Sequence, residues 1–168
     1  MLTRSALVLA CVVLAGCGQQ SPPAAPAAPA AAPPAAPSAA APAAAPITFT
    51  RKAAPAGAMA YVIEPADGAT VSNPVHVVFG LKGIGVAPAG TDRPDAGHHH
   101  LLIDAGLPAD LGVPIPSDDT HKHFGGGQTE TTLTLAPGKH TLQLLLGDHL
   151  HVPFDPPIAS SVVTIAVQ

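Results

Sequence analysis

The stretch TLTLAPGKHTLQLLL, residues 132–146, sets the reading of the whole chain. Leu133 and Leu135 alternate with Thr132 and Thr134. After a Pro137-Gly138 break, Leu142, Leu144 and Leu146 alternate with Thr141, Gln143 and Leu145. Successive side chains of an extended strand point to opposite faces, so a leucine at every second position makes one face apolar. Proline followed by glycine interrupts the run and permits a turn. The same period of two recurs in Val75, Val77, Phe79 and Leu81, interleaved with His76, Val78 and Gly80, and again in Val163, Ile165 and Val167. Turn residues punctuate the chain at 65–68, 72–74 and 125–127. No long amphipathic helix is expected beyond the N-terminal segment, and residues 107–111 form at most a short turn. Short alternating strands separated by turns predict an all-β fold, an antiparallel β-sandwich of immunoglobulin-like type.

The N-terminal residues follow a different logic. Arg4 precedes an apolar run, residues 6–15, that is too short for a permanent membrane-spanning helix. The run ends in Leu14-Ala15-Gly16-Cys17, which resembles a bacterial lipobox, cut before the cysteine and lipidated on it. Residues 1–16 are therefore expected to be a lipoprotein signal peptide, with Cys17 the lipid anchor that ties the chain to a membrane. Gly18, not aspartate, follows the cysteine. By likeness to the sorting rule of enterobacterial lipoproteins, this favours the outer membrane over the inner, with the domain facing the periplasm. Residues 17–58 are expected to form a tether, because 19–46 is almost wholly alanine and proline. Frequent proline blocks a helix, and such a composition cannot build a core. As a polyproline-II spacer of about 3.1 Å per residue, it reaches on the order of 80 Å. Residues 59–168 remain as the folded domain.

Composition removes several functions. A formal charge of −4, seven basic residues and no basic stripe exclude nucleic acid as a partner. There is no Gly-x-Ser-x-Gly elbow, which speaks against a serine hydrolase. Cys11 and Cys17 are the only cysteines, so the mature domain has neither a disulfide nor a thiolate ligand. Met59 is the only methionine after the first residue, which excludes a methionine-rich copper(I) site. Any metal must be held by imidazole, carboxylate, backbone or water.

Six of the nine histidines fall in His-x-His pairs: His98 with His100, His121 with His123, and His149 with His151. In a strand each pair presents two imidazoles on one face, and imidazole suits both zinc and copper(II). These six are the expected ligands of copper(II) or zinc. Six exceed the four of a tetrahedral zinc, so either some stand behind the ligands or two ions bind. Asp104 and Asp148 are the expected partners for orienting imidazoles through their second ring nitrogen. In the run from His98 to Asp104, placing Leu101 and Ile103 on the core face brings His99 with them, as a core or supporting residue. His98, His100 and Leu102 then share the other face, with both histidines expected outward. His121 and His123 fall in the connection 118–128, and His149 and His151 follow a strand end; sandwiches usually carry function at such places. The triple glycine lacks the Gly-Lys-Ser/Thr ending of a phosphate-binding loop and reads as backbone freedom beside the site, or a bulge. The lone His76 and His140 are expected to be solvent-facing strand residues.

Three blocks together carry a resemblance: HHHLLID (98–104), HKHFGGGQTE (121–130) and LLLGDHLH (144–151). They are similar to a bacterial family known as domain of unknown function 4399, and FGLKG (79–83) and VAPAG (86–90) fit the same pattern. The likeness covers about residues 60–167 and implies no established activity. Phe154 stands where the family pattern leads one to expect a polar residue or histidine, so no ligand role is expected there. YVIEPADGATV (61–71) and APGKHTLQL (136–144) resemble the first and penultimate strands of bacterial immunoglobulin-like modules. The leading expectation for function is a metal-binding lipoprotein. The alternative is a structural or interaction module whose histidines pack long loops that bind a protein or glycan. A third reading is a copper redox enzyme, because HKHFG has a faint likeness to the ligand strand of copper-zinc superoxide dismutase. The absent disulfide and the order of the histidines speak against it, so binding is expected ahead of catalysis.

Overall fold

Nine strands and no helix make up the described part of the chain, which in this computed structural model comprises Ile47 and residues 49–168. The expected signal peptide, Cys17 and the Ala/Pro-rich stretch up to Pro46 lie outside the described residues. The strands are β1 (Met59–Glu64), β2 (Thr70–Val71), β3 (Val75–Lys82), β4 (Gly85–Val86), β5 (Ala96–Ile103), β6 (His121–His123), β7 (Glu130–Leu133), β8 (Gly138–Gly147) and β9 (Val163–Val167). One sheet has the order β1-β3-β7; the other has the order β2-β9-β8-β5-β4, with β6 also paired to β5. The long strands pair antiparallel, as a sandwich requires. The two-residue strands depart from that expectation: β2 runs parallel to β9, and β4 parallel to β5.

The alternating runs supply the interior. Val75, Val77 and Phe79 of β3 pack with Leu101 and Ile103 of β5, Leu142, Leu144 and Leu146 of β8, and Val163, Ile165 and Val167 of β9. Each such side chain stabilises the fold by about 1.5–3 kcal/mol relative to exposure. Phe154 is fully buried in this same layer, consistent with its apolar character. The stretch 132–146 is shared between the sheets, so Pro137-Gly138 carries the chain across the sandwich. Gly138 adopts a φ of 139°, a conformation that suits glycine alone. The expected strand through Leu135 stops at Leu133. There the Asn73 amide accepts from the Leu135 N–H at 3.0 Å and donates to its carbonyl at 2.7 Å, a side-chain substitute for the next rung.

Two features position the site. Every residue of β5 is buried, because both faces of the strand are covered. Leu101 and Ile103 face the sandwich interior, while Leu102 packs with Leu145 and Ile115 on the other face. Residues 51–54, expected from composition to belong to the tether, pack on the domain. The Arg51 guanidinium donates to the carbonyls of Pro153, at 3.1 Å, and Phe154, and lies 3.2 Å from the Asp155 carboxylate.

Candidate metal centre

β5 is paired on one edge by β8 along most of its length, whereas β4 covers only the start of the other edge. The remaining backbone groups of a buried strand need partners. Residues 121–123 provide them: His123 lies opposite His100, the Phe124 N–H donates to the His99 carbonyl at 3.0 Å, and the Ile103 N–H donates to the Thr120 carbonyl at 2.8 Å. His121 and His123, expected in a loop, therefore form a short strand. This register sets the His123 ring against those of His98 and His100, with centres 5.0 and 5.1 Å away.

Three nitrogen atoms, one each from His98, His100 and His123, lie within 4.8 Å of one another, a grouping able to hold a metal ion. His151 closes a fourth side, its ring centre 4.7 Å from that of His123 and 4.9 Å from that of His98. His98 and His100 are 1% and 0% exposed, while His123 lies at the solvent rim. The two β5 histidines thus point away from the sandwich core, as expected, but they do not face solvent, because His123 and His151 cover them. His98 Nε2 and both ring nitrogens of His100 are buried without a hydrogen-bond partner. Burial, reinforced by the neighbouring histidines, lowers His98 to a pKa of about 4 and His100 to about 2. His123 is lowered too, by partial burial and then by His151. These three rings are therefore neutral at pH 7, the form in which imidazole ligates.

The turn after β8 places His151. Asp148 is buried, and its Oδ1 accepts the N–H groups of Leu150, at 2.8 Å, and Val152, at 2.9 Å. Its carbonyl accepts the His151 N–H at 2.9 Å, and the His151 carbonyl accepts from Ile115. His151 is held at a φ of 67°, in the left-handed region that is uncommon for non-glycine residues. Asp148 thus supports the cluster through backbone, and its Oδ2 lies 3.7 Å from His149 Nδ1. Two glycines make room for the rings. A Cβ on Gly147 would meet His100 Cε1 at 2.9 Å, and one on Gly125 would meet His123 Nε2 at 2.5 Å. From sequence, Gly125 reads only as backbone freedom beside the site and Gly147 carries no assigned role, although each sits within two residues of a His-x-His pair.

The other candidate residues lie elsewhere. His121 Nδ1 is 3.0 Å from Asp118 Oδ1, and this contact holds the Asp118 carboxyl well below the usual range. His149 Nδ1 is 3.5 Å from Asp92 Oδ1. Neither ring touches the four. His99 occupies the opposite face of β5, tilted against Phe79 at 5.3 Å, with both nitrogens unpartnered and its pKa lowered to about 4 by burial. Asp104 bonds His140 Nδ1 at 2.7 Å and the Thr141 N–H at 2.8 Å, and so staples β8 instead of turning a clustered ring. That bond also draws His140 out of solvent, to 14% side-chain exposure. His76, half exposed between Glu64 and Glu130, faces solvent as expected.

A two-sheet sandwich with a buried group of imidazoles against the outer face of its larger sheet defines the class of this protein. The chain belongs to the family described as domain of unknown function (DUF4399), whose model matches residues 77–168 and so spans all four clustered histidines. No curated protein and no solved structure matches the chain.

Proposed function

We propose that this chain is a membrane-anchored, periplasm-facing binding lipoprotein that holds copper(II) or zinc on its clustered histidines. The observation that carries this reading is the convergence of the His98, His100 and His123 nitrogens within 4.8 Å. That His98 Nε2 and both ring nitrogens of His100 are buried without a hydrogen-bond partner supports it. A histidine lattice built to pack loops would bond ring to ring or ring to backbone. A buried group left unpaired costs roughly 1–3 kcal/mol, and a divalent ion would occupy those lone pairs. The anchor rests on the lipobox-like Leu14-Ala15-Gly16-Cys17, and the outer-membrane assignment on Gly18.

One observation favours the second reading, a structural or interaction module of the cell envelope with a protein or glycan partner. His99 is buried with both ring nitrogens unpartnered and lies away from the cluster. His149 Nδ1, also outside the cluster, is buried without a hydrogen-bond partner as well, so orphaned imidazole nitrogens are not confined to the four rings. Metal analysis separates the two readings. The purified chain is stripped with a chelator, reloaded with zinc or copper(II), desalted and assayed for bound metal. Stoichiometric metal that disappears in His123→Ala is the expected result; wild-type chain that retains none would leave the structural reading. For the anchor, Cys17→Ala is expected to leave the membrane fraction with its domain folded, and membrane retention would overturn the lipoprotein assignment.

A further inference from the structure

The four clustered rings are arranged in a way that distinguishes between ions. Their six centre-to-centre distances are 4.7, 4.8, 4.9, 5.0, 5.1 and 6.0 Å. An imidazole bound at about 2.05 Å has its ring centre roughly 3.2 Å from the ion, so tetrahedral ligation puts every pair of centres about 5.2 Å apart. A square arrangement would give four distances of about 4.5 Å and two diagonals of about 6.4 Å. Only the His100–His151 distance is stretched, to 6.0 Å. The pair that would form the other diagonal, His98 and His123, is 5.0 Å apart, which a square does not allow.

We propose that His98, His100, His123 and His151 form a closed tetrahedral site, with His151 as its fourth ligand, and that its ion is zinc(II) and not a tetragonal copper(II). The proposal rests on the metal-binding reading above and adds the ion and the fourth ligand. Backbone fixes each ring: β5 spaces His98 and His100, the β5–β6 register sets His123, and the Asp148 turn holds His151. The nitrogens have still to converge to the roughly 3.3 Å between tetrahedral zinc ligands: those of His98, His100 and His123 from within 4.8 Å of one another, and that of His151, which lies outside this grouping, from farther. Rotation about the soft terminal χ2 of histidine achieves this without moving the ring centres far. Four protein ligands leave no position for water or substrate, so the ion is held and not used as a Lewis acid. His123 at the rim gives the ion its route in and out.

Affinity alone does not test this, because copper(II) outcompetes zinc at most nitrogen sites whatever their shape. Cobalt(II) does, since it replaces zinc and absorbs strongly in the visible when tetrahedral but weakly when six-coordinate. The stripped full chain is titrated with cobalt chloride and then with zinc. Intense visible bands that saturate and are bleached by zinc are expected. In His151→Gly, which accepts the left-handed backbone at this position, the bands should shift and cobalt affinity fall by at least about tenfold. His121→Ala should match the wild type, and circular dichroism confirms that both variants fold. The wild-type spectrum decides the geometry whatever the variants do. A weak six-coordinate spectrum, an unchanged spectrum in folded His151→Gly, or cobalt refused while copper(II) binds would each overturn the closed tetrahedral site and leave metal binding standing. A chain that takes up no cobalt, zinc or copper would overturn both.

Discussion

His100 and His123 face each other across the β5–β6 pair, their rings stacked with centres 5.1 Å apart and planes 29° apart. Neither ring can take a proton without placing charge against the other. In the metal-free chain burial holds His100 at about 2, with His98, His123 and His151 adding to the effect, and holds His98 at about 4. Unfolded histidine titrates near 6.5, so below that pH the unfolded chain binds protons that the fold refuses. The stability from the neutral rings is complete above about 6.5 and is lost as pH falls through the window down to the folded values. For His100 the slope in that window is about 1.4 kcal/mol per pH unit. Urea unfolding of the chelated chain should therefore show a midpoint that is nearly level from pH 7.5 to about 6.5 and drops steadily from there to pH 5. A flat midpoint would contradict the burial of neutral rings.

The two histidines of β6 should separate cleanly on mutation. His123 reaches the cluster, whereas His121 is engaged by Asp118 and Thr120. His123→Ala should abolish metal retention while changing apo stability by about 0.5 kcal/mol or less, because the residue sits at the rim. His121→Ala should keep the metal. Urea unfolding and metal analysis on the same preparations decide this, and loss of metal in His121→Ala would mean that the ion sits elsewhere.

The strand faces were legible because a period of two needs only local sequence. Leu101 and Ile103 already told His99 from His98 and His100. What covers those two was not legible. Three residues of β6 carry no periodic signal, and they become a strand only because β5 has a free edge beside them. The three His-x-His pairs look equivalent in sequence, yet only the β5 pair contributes both rings. In the turn after β8 the left-handed backbone at His151 brings its ring in, while His149 is drawn toward Asp92. Asp104 looked like a natural partner for the cluster, but the Thr141 N–H and the His140 ring lie nearer and claim both of its oxygens.

The Asp104–His140 staple should carry its own pH signature. The Asp104 carboxylate, then the Ala136 carbonyl, raise the pKa of His140 and outweigh its slight burial. Partial burial pushes Asp104 up, but the Thr141 N–H and the His140 ring hold it below its ordinary value. The His140 contribution is thus complete below about 6.5 and lost as pH rises through its raised folded value. The Asp104 contribution is present above its ordinary value of 3.8 and lost as pH falls through its lowered one. Solvent screens the pair, so the effect should be at most about 1 kcal/mol. Replacing His140 with glutamine should lower stability most near pH 6 and little near pH 9. A gap that widens with pH would reverse the sign and exclude the staple.

The two glycines beside the rings should respond in the opposite order to their contact distances. An alanine Cβ at 125 would come within 2.5 Å of His123 Nε2, nearer than the 2.9 Å that separates a Cβ at 147 from His100 Cε1. Yet His123 sits at the rim and can swing aside, whereas His100 is 0% exposed and has nowhere to go. A Cβ at 147 also meets the His151 Cα at 3.2 Å, so backbone would have to move. Overpacking of that kind costs about 1–3 kcal/mol. Gly147→Ala should therefore lower the urea midpoint of the chelated chain and weaken zinc binding as well. Gly125→Ala should leave the midpoint nearly unchanged and weaken only zinc, because it displaces the His123 ring without straining the fold. If Gly125→Ala proved the more destabilising of the two, His123 would be a packed structural side chain and not a mobile ligand at the mouth of the site.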